Sequence, residues 1–202
     1  MSGKLWQVVG RRVQGAAHRS LEQPCQDALV MDRGARGAVL AALADGHGSA
    51  QCYRSDRGAE LACRAARELL EEVSQAPGEQ LEELLPGWKR RLLVRWQELV
   101  EKELTAEEQL SPHRYLPFGA TLIAVCATPD FVTVLQLGDG DVLVCQGGQV
   151  GAVPELQPEK LLGNETYSLC QSDAEKQLRH KVFRHLEVPE MMMLATDGYS
   201  NS

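Results

Sequence analysis

The stretch Val39-Leu-Ala-Ala-Leu-Ala44-Asp-Gly-His-Gly48-Ser49 decides how the rest of the chain is read. Its first six residues are apolar throughout, which predicts a strand buried on both faces. At Asp45 the texture turns polar, and the glycines at 46 and 48 permit backbone geometry that ends a strand. A carboxylate and an imidazole therefore stand at the mouth of a buried strand.

Working outward, residues 26–32 read as a second strand, joined to 36–44 at Arg33-Gly34-Ala35 as a hairpin. Residues 5–13 mix apolar and polar side chains as a first strand would. Downstream, Leu61, Ala62, Ala65, Leu69 and Val73 recur at helical spacing, with Ser55 or Asp56 as cap and Ala76-Pro77-Gly78 as stop. A second helical stripe runs from Leu81 to Val100, interrupted around Pro86-Gly87, with Trp88 and Trp96 on its core face. Short apolar runs at 119–127, 131–138 and 141–146, separated by Thr128-Pro129-Asp130 and Gly138-Asp139-Gly140, predict a β-meander. Residues 154–180 read as an irregular surface excursion, and 189–196 as a last strand ending in Thr196-Asp197-Gly198. Strands, two helices, then strands without regular βαβ alternation predict an α+β layered protein. With 202 residues and no internal repeat or linker, one domain over 1–202 is expected.

Composition removes several classes of function. A chain 44% hydrophobic and 24% charged is an ordinary globular protein, neither disordered nor fibrous. The net charge is −7, residues 68–108 hold eleven Glu against five Lys or Arg, and no basic tract exists; nucleic-acid and anionic-membrane binding are not expected. The longest apolar runs, 39–44 and 191–195, fall far short of the ~20 residues of a membrane span. The N-terminus lacks a signal peptide's apolar stretch, which predicts a cytoplasmic protein. The six cysteines form no CxxC pair and read as reduced core thiols. Cys52, Cys63 and His47 lack zinc spacing and a fourth ligand.

Three aspartates carry the chemistry: Asp27 in Pro24-Cys-Gln-Asp-Ala28, Asp45, and Asp197 in Ala195-Thr-Asp-Gly198. Carboxylates at the ends of buried strands can converge on hard cations, since Mg²⁺ and Mn²⁺ prefer oxygen ligands. Asp-Gly is also ordinary turn chemistry, so spacing alone leaves both readings open.

Asp27, Asp45-Gly-His-Gly48, Gly119-Ala-Thr121, Leu137-Gly-Asp139-Gly-Asp141 and Ala195-Thr-Asp-Gly198, in this order, resemble the motifs of the metal-dependent protein phosphatase 2C family, and Pro-Cys-Gln-Asp-Ala resembles a bacterial branch. The resemblance implies a central sandwich of two antiparallel β-sheets flanked by helix pairs, with a two-metal site at one end. It implies two Mn²⁺ or Mg²⁺ ions bridged by Asp45, with the Gly46 carbonyl, Asp27 and Asp197 completing the site. It further implies a serine/threonine phosphoprotein phosphatase in which metal-bound water attacks phosphorus directly, and His47 protonates the leaving oxygen. A phosphorylated protein is the implied substrate, and a serine/threonine kinase a possible partner. His47 also has a plain structural reading, hydrogen bonding to loop backbone. Gly119-Ala-Thr121 reads as core packing and Gly138-Asp139-Gly140-Asp141 as a hairpin turn near the site, which makes Asp139 and Asp141 second-tier candidates for metal ligands.

The chain departs from the family pattern in three places. Gln26 stands where many relatives carry Glu. The phosphate-binding arginine has no exact counterpart; Arg19 is the candidate, with an exposed loop arginine as the alternative. The family also continues through another helix and strand to a last metal-binding Asp, which residues 1–202 are expected to lack. These departures motivate an alternative function, a pseudophosphatase that binds phosphoproteins or a kinase without turnover.

Overall fold

In the computed structural model, which describes residues 5–14, 25–157 and 166–197, alternate residues of the central strands serve two different cores. Strands β1 (Ala28–Arg33), β2 (Val39–Ala44), β3 (Leu122–Ala127), β4 (Phe131–Leu137) and β7 (Arg179–Arg184) form an antiparallel sheet ordered β1-β2-β3-β4-β7. A second sheet, ordered β6-β5-β8, contains β5 (Asp141–Gln146), β6 (Gln149–Ala152) and β8 (Met191–Ala195). Leu40, Ala42, Leu122, Ala124 and Leu135 pack in one buried cluster with helical residues such as Leu69 and Trp96. Their neighbours in sequence, Val39, Ile123, Val125 and Val134, pack instead with Val142, Val144 and Leu194 of the second sheet. Successive side chains of a strand point to opposite faces, so one sheet supplies a helix-facing core and an inter-sheet core. This explains the unbroken apolar run in β2.

Helix α1 (Ser55–Gln75) lies across β1, β2 and β3, and α2 (Trp88–Glu101) packs against α1. Trp88 and Trp96 are buried as their spacing predicts, and the Trp96 indole donates to the Gly58 carbonyl at 3.2 Å. The expected interruption is present: a single turn at Leu81–Leu84 ends before Gly87, whose φ of 74° opens α2. The start of α1 is displaced from expectation, because Arg54 precedes its first residue and no side chain caps it. Part of the acidic segment is neutralised locally, Glu72 pairing with Arg91 and Arg95.

Several local expectations are corrected. Residues 5–14 form no strand; Trp6 makes isolated bonds to the Thr128 carbonyl (3.0 Å) and from Arg33 (2.8 Å), without a ladder. The β1–β2 turn is a 3₁₀ turn at Ala35–Gly37. The meander holds only from β3 to β4, because β5 leaves for the other sheet and Gly138–Gly140 is a crossing between sheets, not a hairpin. The segment read as a surface excursion buries Leu169, Ala174 and Leu178 and leads into β7. Among the described residues no helix is long and apolar enough to cross a membrane.

Candidate active site

Strand β2 ends at Ala44 and delivers Asp45 to one end of the sandwich. The loop after it is held by backbone bonding. The Asp45 N–H donates to Thr121 Oγ1 at 3.1 Å, and the Thr121 N–H donates to the Asp45 carbonyl at 2.8 Å. The His47 N–H donates to the Gly119 carbonyl and the Gly46 N–H to the Gln26 carbonyl, both at 3.1 Å. Gly119-Ala-Thr121, expected to be simple core, is therefore the strut of the acidic loop. A Cβ on Gly46 would lie 2.5 Å from the Ser55 carbonyl oxygen, so only glycine allows this approach.

Two register relations gather the other carboxylates. Ala28 pairs with Ala44, so Asp27 and Asp45 lie side by side at one sheet end. Ala195 pairs with Asp141 at the start of β5, which brings Asp197 to the same end from the other sheet. The Asp45 carboxyl is pushed up to about 8, first by burial, then by a hydrogen bond with Asp197, then by the charges of Asp27, Asp197 and Asp139. Burial pushes the His47 imidazole down, while the charges of Asp139 and Asp197 oppose that shift. Asp139, read as part of a hairpin turn near the site and a second-tier candidate ligand, thus joins the cluster, whereas Asp141, the other second-tier candidate, is absent from the charges acting on Asp45.

This donor set fits a hard divalent cation. The charges of Asp27, Asp197 and Asp139 bear on half-buried Asp45, which is mostly protonated at neutral pH unless positive charge is added. Among the described residues no three His, Cys, Asp or Glu side chains close into a ready-made metal cage. Three of the carboxylates, Asp27, Asp45 and Asp197, instead border a cleft of about 500 Å³ together with Arg11, Arg12 and Thr196. Mg²⁺ and Mn²⁺ suit such an open oxygen site, since Mg²⁺ in particular retains waters among its ligands. Size does not mark this cleft, because an apolar hollow beside Trp6, Val125 and Met192 measures about 540 Å³. Its charge does.

Arg11 and Arg12 were not legible as site residues. Arg12 Nη1 donates to the Asp27 carbonyl at 2.9 Å, and no local pattern links residue 12 to residue 27. Arg19, the sequence candidate for phosphate, lies outside the described residues. Gln26 braces the acidic loop: Nε2 donates to Ser55 Oγ at 2.8 Å and to the His47 carbonyl at 3.4 Å. The imagined zinc trio does not assemble, since Cys63 points to the Ala42 carbonyl in the core while Cys52 lies beside His47 at Gly119.

The sequence profile of the protein phosphatase 2C family matches residues 14–202. The chain belongs to this family. Its resemblance to a curated protein, serine/threonine-protein phosphatase 3 of Escherichia coli (strain K12), is 28% identity over 147 residues, covering 70% of this chain and 54% of the relative. This phosphatase 2C chain therefore spans about half the length of that relative. Among solved structures, serine/threonine phosphatase Stp1 from Staphylococcus aureus matches at 15% identity and a TM-score of 0.57, over 96% of this chain and 82% of that one. The S. agalactiae serine/threonine phosphatase matches at 18% identity and a TM-score of 0.54, over 88% and 75%. At these identities the structures establish a shared fold.

Proposed function

We propose that this phosphatase 2C chain is a metal-dependent serine/threonine phosphoprotein phosphatase, with residues 1–202 acting as a single catalytic domain. The observation that carries this reading is the convergence of Asp27, Asp45, Asp139 and Asp197, which raises the Asp45 carboxyl to about 8 when no cation offsets the charge. Asp45, the Gly46 carbonyl, Asp27 and Asp197 would hold two Mn²⁺ or Mg²⁺ ions. Such ions, when bound, activate water and neutralise charge on the phosphoryl group.

The chain's own residues supply the rest. His47 gives its proton to the departing serine or threonine oxygen; burial pushes its imidazole down, against that role, and the charges of Asp139 and Asp197 offset part of the shift. Arg19 grips phosphate oxygens, and Arg11 and Arg12 on the cleft wall offer further guanidinium donors. Gln26, bonded to Ser55 and the His47 carbonyl, acts as a brace of the loop, which removes one motive for the pseudophosphatase reading. The partners are a phosphorylated protein and the kinase that supplies it, in the cytoplasm, without nucleic acid or membrane.

The test is Mn²⁺-dependent hydrolysis of a phosphothreonine peptide by this chain and its Asp45→Asn variant. Hydrolysis that disappears on chelation and in the variant supports the proposal. A folded chain that binds the phosphopeptide but never turns it over overturns it in favour of a binding module.

A further inference from the structure

The crossing Gly138-Asp139-Gly140 carries the chain from the end of β4 in one sheet to the start of β5 in the other. Both flanking carbonyls are held by side chains of the five-stranded sheet. Arg179 Nη2 donates to the Gly138 carbonyl at 2.6 Å, and Gln136 Nε2 donates to the Gly140 carbonyl at 2.5 Å. Gln136 on β4 and Arg179 on β7 are cross-strand partners, so the two grips issue from one register position. Gln136 is 1% exposed, and among the described residues its Oε1 has no hydrogen-bond partner. A buried amide half-spent on a turn carbonyl costs stability relative to an apolar residue. The bond to Gly140 is what that cost secures.

The crossing also touches the supports of both central aspartates. Gly138 has φ +98°, and a Cβ there would lie 2.6 Å from Thr121 Cγ2, on the residue whose hydroxyl and N–H hold Asp45. A Cβ on Gly140 would lie 2.7 Å from the carbonyl oxygen of Ala195, two residues before Asp197. Asp139, between the two glycines, contributes its charge to Asp45 and His47.

We propose that Arg179 and Gln136 are positioning residues for the carboxylate site, clamping the Gly138 and Gly140 carbonyls so that Asp139 is held toward Asp45. The proposal rests on the metal-site reading given above. Neither residue touches substrate; each acts through the crossing.

The experiment is calorimetric Mn²⁺ titration of the unaltered chain, Asp139→Asn, Arg179→Met, Arg179→Lys, Gln136→Leu and the Arg179→Met/Asp139→Asn double variant, with thermal melts to establish folding. Arg179→Met and Gln136→Leu are each expected to weaken Mn²⁺ binding by about 10-fold, the lower end of losses for partners that orient metal ligands. Arg179→Lys, which keeps one donor, should recover part of the loss. In the Asp139→Asn background Arg179→Met should cost little more, because its effect passes through Asp139. Gln136→Leu removes the unpartnered oxygen together with the bond, so it decides the question even if Arg179→Met fails to fold. Folded variants that bind Mn²⁺ as tightly as the unaltered chain, or losses that add fully in the double variant, overturn the clamp alone. An unaltered chain that binds no Mn²⁺ overturns the metal-site reading, and the clamp with it.

Discussion

Asp32 and Asp45 stand on adjacent strands of the same sheet and meet opposite treatment. Asp32, toward one end of β1, accepts from Arg67 at 2.6 Å and is held below the usual carboxylate range by that bond. Asp45, just past the far end of β2, has three carboxylates for neighbours and is driven up to about 8. Paired surface carboxylates recur elsewhere, as at Glu103 with Arg57 (2.7 Å) and Glu155 with Lys181 (2.6 Å), both held low. The sheet end around Asp45 is thus where the fold gathers like charges instead of pairing them. A fold accepts such crowding where an added cation resolves it.

Breaking that contrast at its centre should have the largest effect. Asp45→Asn is expected to abolish Mn²⁺-dependent phosphopeptide hydrolysis while raising the melting temperature of the metal-free chain at neutral pH, since folding no longer has to hold a raised carboxyl protonated; activity assays and thermal melts check both halves. Next comes Gly46→Ala, whose Cβ meets the Ser55 carbonyl at 2.5 Å. Forcing it in should cost about 1–3 kcal/mol, read by denaturant unfolding.

The pH dependence sharpens the contrast. The raised Asp45 group contributes stability that is full below its unfolded value of 3.8 and is lost as pH rises through about 8. Asp32, lowered, contributes stability present above 3.8 and lost as pH falls. The metal-free chain should therefore melt lower at about pH 8 than at about pH 6, and saturating Mn²⁺ should raise its melting temperature more at the higher pH. Equal Mn²⁺ shifts at both would contradict the reading. The smallest effect belongs to the exposed Arg36–Asp130 pair at 3.2 Å, where Asp130→Ala should change unfolding free energy by no more than about 1 kcal/mol.

Much of this contrast was legible along the chain. Asp27, Asp45 and Asp197 stand out because each sits where an apolar run meets a polar turn, a local signal that leaves metal binding and turn chemistry both open, whereas Gly46 and His47 come into view as site residues only through the family resemblance. Trp88 and Trp96 were legible as core through helical spacing. Arg12, Gln136 and Arg179 were not, because their partners lie 15, 4 and 41 residues away and are backbone carbonyls, which carry no side-chain identity to read. The hairpin expected at Gly138-Asp139-Gly140 is a crossing instead, because Gly-Asp-Gly serves a tight turn and a sheet-to-sheet crossing equally well, so Asp139 reads only as a second-tier candidate.

The sequence by itself determined four of the five strands of the first sheet and its helix pair, but not β7, together with the α+β class, the family and the three aspartates at strand ends, since all of these rest on periodicity and short motifs. Only the tertiary structure decided that β4 and β5 part company, that Asp139 joins Asp45, and that Arg12, Gln136 and Arg179 reach the same end of the sandwich. Register between two sheets depends on contacts remote in sequence, and no local pattern encodes which carbonyl a distant guanidinium will find.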